Sequence, residues 1–143
     1  MHRRVSLLFL VAVSLAFFAA ACGSTGTARP ANIAAPDLRA VINGTVFYGS
    51  GTTAPVTIDV IVTNQATVPI TLRRVEIDSP GMVTHGVIRT SRMMRETIAP
   101  GETKSVSVFA TSVTNVRNPS EPLHIRLVAD FESGKDRWRE IEM

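Results

Sequence analysis

The eight residues Val56-Thr57-Ile58-Asp59-Val60-Ile61-Val62-Thr63 alternate apolar and polar with a period of two, a pattern that admits little besides a half-buried β-strand. Val56, Ile58, Val60 and Val62 share one face and Thr57, Asp59 and Thr63 the other, with Ile61 the apolar exception on the outer side. All of them except Asp59 are β-branched, which suits a pleated, packed surface.

The same period recurs along the chain. Val68, Ile70 and Leu72 alternate after the Asn64-Gln65-Ala66-Thr67 turn, but Val75 and Ile77 are apolar on odd numbers. The phase slips by one at Arg73-Arg74, and a β-bulge there keeps both sets inside. Val106, Val108 and Ala110 follow the Ala99-Pro100-Gly101-Glu102 turn; Leu123, Ile125, Leu127, Ala129 and Phe131 alternate with His124, Arg126 and Asp130. Ser133-Gly134-Lys135 reverses the chain into a last strand, Asp136 to Met143, anchored by Trp138. Strands over Val41–Tyr48 and within Val87–Ile98 complete a predicted set of seven, and no helix-period segment of ten residues competes with them. Seven short strands over about a hundred residues predict an all-β, two-sheet Greek-key sandwich whose core leaves no room for an interior ligand cavity.

The chain ahead of Arg39 has a different character. His2, Arg3 and Arg4 are followed by an apolar core, Val5 to Phe18, and by Ala19-Ala20-Ala21, the pattern of an export signal. The apolar run is shorter than the roughly 20 residues a spanning helix needs. Cys22 is the sole cysteine of the 143-residue chain, so an internal disulfide is excluded. Ala20-Ala21-Cys22 resembles the lipobox of bacterial lipoproteins, with Ala19 where Leu is usual. That resemblance implies cleavage after residue 21, a lipid on Cys22, and a membrane-anchored protein facing the periplasm or cell exterior. Gly23 to Pro36, small and polar with two prolines, reads as a flexible tether of about 20 Å root-mean-square span. The expected organisation is a signal peptide over 1–21, a lipidated cysteine and linker over 22–38, and a sandwich over 39–143.

Charge narrows the function further. The whole chain carries +3, but with Arg3 and Arg4 removed thirteen basic residues face twelve acidic ones. A mature chain so close to neutrality gives no ground for a nucleic-acid partner.

Ile61-Val62-Thr63-Asn64, Pro69-Ile70-Thr71-Leu72 and Ile98-Ala99-Pro100-Gly101-Glu102 resemble the immunoglobulin-like accessory domains of exported bacterial proteins, in which a V-x-N strand end and a P-G-E turn recur. The resemblance spans most of Val41 to Phe131 and implies an immunoglobulin-like sandwich more than a particular function.

Catalytic signatures are missing from the pattern. No Gly-x-Ser-x-Gly elbow is present, and His85 and His124 are the only histidines beyond the leader. His124 alternates outward; His85 lies in the loop-like Pro80-Gly81-Met82-Val83-Thr84-His85-Gly86. Met82, His85, Met93 and Met94 fall within thirteen residues, and thioethers with an imidazole suit Cu(I). This resembles half the ligand set of periplasmic copper chaperones; the later His-x-Met pair is absent, since His124 is followed by Ile125 and Arg126. Arg89, Arg92 and Arg95, with Arg73 and Arg74 nearby, form either a solvated edge that blocks sheet pairing or a basic patch for anionic headgroups or an acidic partner. The sequence therefore reads as a non-catalytic envelope module without a cofactor, binding the membrane through Cys22 and an envelope protein through its surface, with the metal-binding chaperone as the alternative.

Overall fold

The computed structural model describes residues 28–81, 84–116 and 121–143. Eight strands fill this chain, with no helix among the described residues: β1 (Asp37–Asn43), β2 (Thr53–Thr63), β3 (Ile70–Asp78), β4 (His85–Val87), β5 (Thr90–Ile98), β6 (Thr103–Thr114), β7 (Arg126–Ser133) and β8 (Asp136–Glu142). They form two four-stranded antiparallel sheets in the orders β1-β2-β6-β4 and β5-β3-β7-β8. The expected signal peptide and Cys22, with its expected lipid, lie outside the described residues.

The alternation does what its period requires. Ile58, Val60 and Val62 of β2 meet Ile70, Leu72, Val75 and Ile77 of β3, all nearly or fully buried, with Ile98, Val108, Leu127 and Phe131 between the sheets. Trp138 enters the same core and stacks on Phe131 at 5.7 Å between ring centroids. Ile61 stands half-exposed on the outer side, as its place in the alternation requires. The bulge is also present: the register of β3 shifts between Leu72 and Arg74 against both β5 and β7. This slip of phase between Leu72 and Val75 keeps every large aliphatic side chain of β3 inward and turns Arg73 and Arg74 both outward.

Three expectations change. The strand expected over Val41–Tyr48 runs instead from Asp37 to Asn43. Gly44 ends it with φ +92°, a left-handed conformation natural to glycine, and Phe47 is left in the following loop with its ring open to solvent. Val68 is exposed, because Pro69 has no N–H for the ladder and β3 starts one residue later. The stretch Val87–Ile98 holds β5, beside β3, while Val87 itself ends a short extra strand, β4, beside β6 in the other sheet, which raises the count from seven to eight.

Packing also begins ahead of Arg39. Leu38 is buried in β1, and Ile33, within the stretch read as tether, joins the core at 5% exposure. Its N–H closes a turn on the Pro30 carbonyl at 3.0 Å, and Arg29 pairs with Glu140 of β8 at 2.9 Å.

The two turns singled out in the sequence meet in space. Asn64 is fully buried at the end of β2, where its Nδ2 donates to the carbonyls of Val68 and Ile98 and its Oδ1 accepts from the Ala66 N–H. Its own backbone pairs with the β5–β6 turn, Asn64 N–H to Glu102 carbonyl and Gly101 N–H to Asn64 carbonyl. Glu102 closes that turn by accepting from the Ala99 N–H at 2.7 Å.

Candidate interaction face

Paired residues in an antiparallel ladder share a face, so the registers assign every side chain of the β5-β3-β7-β8 sheet to the core or to the outside. The outer set is dominated by arginine. Arg73 and Arg74 come from β3, Arg95 from β5, Arg126 from β7, Arg137 and Arg139 from β8, and Arg89 joins them from the β4–β5 link. Glu76 and Asp78 of β3 and Asp130 and Glu132 of β7 lie among them. Seven guanidiniums against four carboxylates leave an excess of three positive charges on one face.

These groups form connected ladders. Glu76, almost fully buried, receives Arg89 at 2.6 Å and Arg74 at 3.4 Å; Arg74 also reaches Asp130 at 2.9 Å, and Asp130 accepts from Arg139 Nε at 2.7 Å. Arg126 forms a two-point fork on Asp78, with Nε at 2.9 Å and Nη2 at 2.6 Å. Glu132 sits between Arg73 at 3.4 Å and Arg137 at 3.6 Å. Partial burial pushes the Asp130 carboxyl up, but hydrogen bonds and charges from Arg139 and Arg74 outweigh it and hold its pKa below the usual aspartate value. Asp78 raises the pKa of Arg126 by hydrogen bond and charge, and Asp130 does the same for Arg139. Both lysines of the described chain, Lys104 and Lys135, lie outside this set; the planar guanidinium fork is the group that bridges several carboxylates at once.

Apolar surface is interleaved with the charge. Met93, paired with Arg74, is 70% exposed, and Ile141, paired with Val128, is 57% exposed. The outer side of the other sheet carries fewer charges: Thr57, Thr63, Thr103, Ser105 and Ser107 stand there beside Val41 and Phe109, 47% and 75% exposed, and Asp59 is held by Asn43 and Ser107.

The expected basic patch is thus corrected in membership and in charge state. Arg73, Arg74, Arg89 and Arg95 do share a face, but the first three are neutralised by Glu132, Glu76 and Asp130. Arg92 is not on it. It pairs with Val75, a core position, and from the rim of β5 its Nη1 donates across the gap to the Ser107 carbonyl of β6. Arg126, Arg137 and Arg139 were missed as members. Their signal was the alternation itself, since each occupies an outward position of a strand whose inward residues were identified.

The methionine and histidine set does not assemble among the described residues. Met93 and Met94 are successive strand residues and point to opposite faces, Met93 to solvent and Met94 against the core. His85 is in the other sheet, on β4 rather than in a loop, and is buried. Its Nδ1 lies 3.0 Å from the Glu121 carbonyl, which can only accept, so Nδ1 carries a hydrogen, and the ring meets Tyr48 edge-on at 5.5 Å between centroids. Met82 falls outside the described residues. His124 is exposed, as its alternation requires, and among the described residues no three His, Cys, Asp or Glu side chains cluster as metal ligands.

No family model matches the chain, and no curated protein matches it. Among solved structures, a crystal structure of a protein from Archaeoglobus fulgidus is 11% identical, with 74% of this chain and 89% of that chain covered and a TM-score of 0.42; a likeness at that level assigns neither family nor function.

Proposed function

We propose that this chain is an exported, lipid-tethered, immunoglobulin-like sandwich that acts as a non-catalytic binding module at the cell envelope, taking a protein partner on the outer face of its β5-β3-β7-β8 sheet. The observation that carries the binding role is the gathering of seven arginines, with exposed Met93 and Ile141, on that one face. Arginine and methionine are enriched at protein interfaces, and three uncompensated positive charges favour an acidic partner surface.

The immunoglobulin-like Greek-key reading draws support from the strand orders. β1, β2 and β6 share one sheet and β3, β7 and β8 the other, the distribution of strands A, B, E and C, F, G in that fold. β4 stands in the place of D beside β6, and β5 is an added strand beside β3. The contact of Asn64 with the Pro100-Gly101-Glu102 turn agrees with the motif resemblance. Export and lipidation rest on the leader and on Cys22 as the only cysteine.

Two measurements test the proposal. Cys22→Ser should move the protein from the membrane fraction to the soluble fraction, and unchanged partition into detergent would end the lipid-anchor reading. A photo-crosslinking residue at Met93 should capture a species in cells that one at Thr57 does not. Arg95→Glu with Arg137→Glu should abolish that product; capture indifferent to the charge reversal counts against the face.

A further inference from the structure

The stretch read as tether is largely part of the domain, and this fixes which side of the molecule can lie near a membrane. Arg29 is held on Glu140 of β8 at 2.9 Å, Ile33 is in the core, and Pro36 is buried immediately before β1. Six residues, Gly23 to Ala28, separate Cys22 from Arg29. Whatever their conformation, they reach at most about 25 Å, against roughly 50 Å if the chain were free as far as Asp37.

The docked segment enters beside the two edge strands β1 and β8, which lie on the same side of the sandwich, opposite β4 and β5. Between them is an open groove of about 350 Å³ lined by Leu38, Ala40, Val41, Ile125, Leu127 and Met143, with Arg39 and Glu142. Val41 and Met143, which line it, are 47% and 82% exposed. Ile33 packs into the same core as Leu38 and Leu127, two residues that line the groove.

We propose that the docked segment Arg29–Pro36 makes the β1–β8 edge the membrane-facing side of the domain, with Val41 and Met143 at the boundary between headgroups and acyl chains. The occupant of this surface is a phospholipid bilayer, because the one point at which the described chain begins is pinned to this edge and Cys22 is six residues further on. The proposal rests on the lipid anchor at Cys22. With that edge down, the arginine face stands beside the bilayer and remains open to a partner.

The test uses the full, lipid-bearing chain bound to phosphatidylcholine vesicles that contain a spin-labelled quencher lipid. Acylation consumes Cys22, so Val41→Cys, Met143→Cys and Arg95→Cys each provide a single thiol for a fluorophore. Quenching at 41 and 143 should exceed that at 95, on the far edge strand β5, at least threefold. Arg29→Glu, which sets two carboxylates against each other, and separately Ile33→Ala should bring the three positions to within a factor of about 1.5, with near-ultraviolet circular dichroism of Trp138 confirming a folded domain. Equal quenching at all three positions in the vesicle-bound wild type overturns the orientation while leaving the anchor in place. A contrast that survives release of Arg29 and Ile33 overturns the role of the docked segment. Failure of the unsubstituted chain to float with vesicles overturns the anchor, and the orientation falls with it.

Discussion

Asn64 shows how one polar residue can be the best-placed side chain in an apolar core. It is fully buried, yet donates to the Val68 and Ile98 carbonyls and accepts from Ala66, so it holds the β2–β3 turn to the end of β5. Asn64→Ala would leave those three backbone groups without partners, and we expect a loss of about 3 kcal/mol, read as a lower urea midpoint at unchanged slope. Asn64→Asp should do no better, because an oxygen would then face two carbonyl oxygens. The role was partly visible in advance: the V-x-N and P-G-E motifs were recognised as recurrent, but only the folded chain shows that they bond to each other. Trp138 was identifiable as a core anchor from its inward position, whereas Ile33 was not, being a single apolar residue among small and polar neighbours. His85 was misplaced for a related reason, since a three-residue strand with glycine at its centre carries no measurable period.

At the scale of elements, β3 organises the outer face, because its bulge delivers two consecutive arginines to one side and its neighbours supply the carboxylates. The ladder through Asp130 makes stability depend on pH in a defined direction. Its folded pKa lies below the unfolded value of about 3.9, so the stabilisation is complete above that value and disappears as pH falls through the folded pKa. Solvent screening limits the contribution to about 1 kcal/mol or less. Asp130→Asn should therefore lower the urea midpoint at pH 6 and flatten its decline between pH 5 and pH 3, compared with the parent chain. A parallel decline in both proteins would show that Arg74 and Arg139 do not favour the charged form. Strand existence and the bulge were readable from alternation alone, but the arginine ladder was not, because it depends on which strands become neighbours and in what register. Arg92 illustrates the limit: its spacing from Arg89 and Arg95 grouped it with them, while its partner Val75 places it on the opposite side of β5.

The whole molecule is a sandwich closed differently on its two flanks. On one, Ile33 joins the core ahead of β1 and Arg29 pairs with Glu140 of β8. A version of the chain cut back to Asp37 should lose about 2 kcal/mol, measured by urea denaturation beside a version starting at Ala28, because a buried aliphatic side chain is removed from an otherwise packed core. On the other flank, β6 runs for twelve residues while β4 covers only its last three, His85 to Val87 pairing with Ser112 to Thr114. Before Thr111 that border has no strand beside it among the described residues, and side chains take over: Arg92 caps the Ser107 carbonyl and Lys104 reaches the Thr97 carbonyl. A cation at an open strand border discourages a second copy from zipping on. Arg92→Ala should accordingly leave the monomer folded but raise light scattering at high concentration more than Arg95→Ala does. If the proposed lipid anchor gathers the protein onto a two-dimensional surface, where neighbours are always close, that guanidinium would guard against uncontrolled self-association.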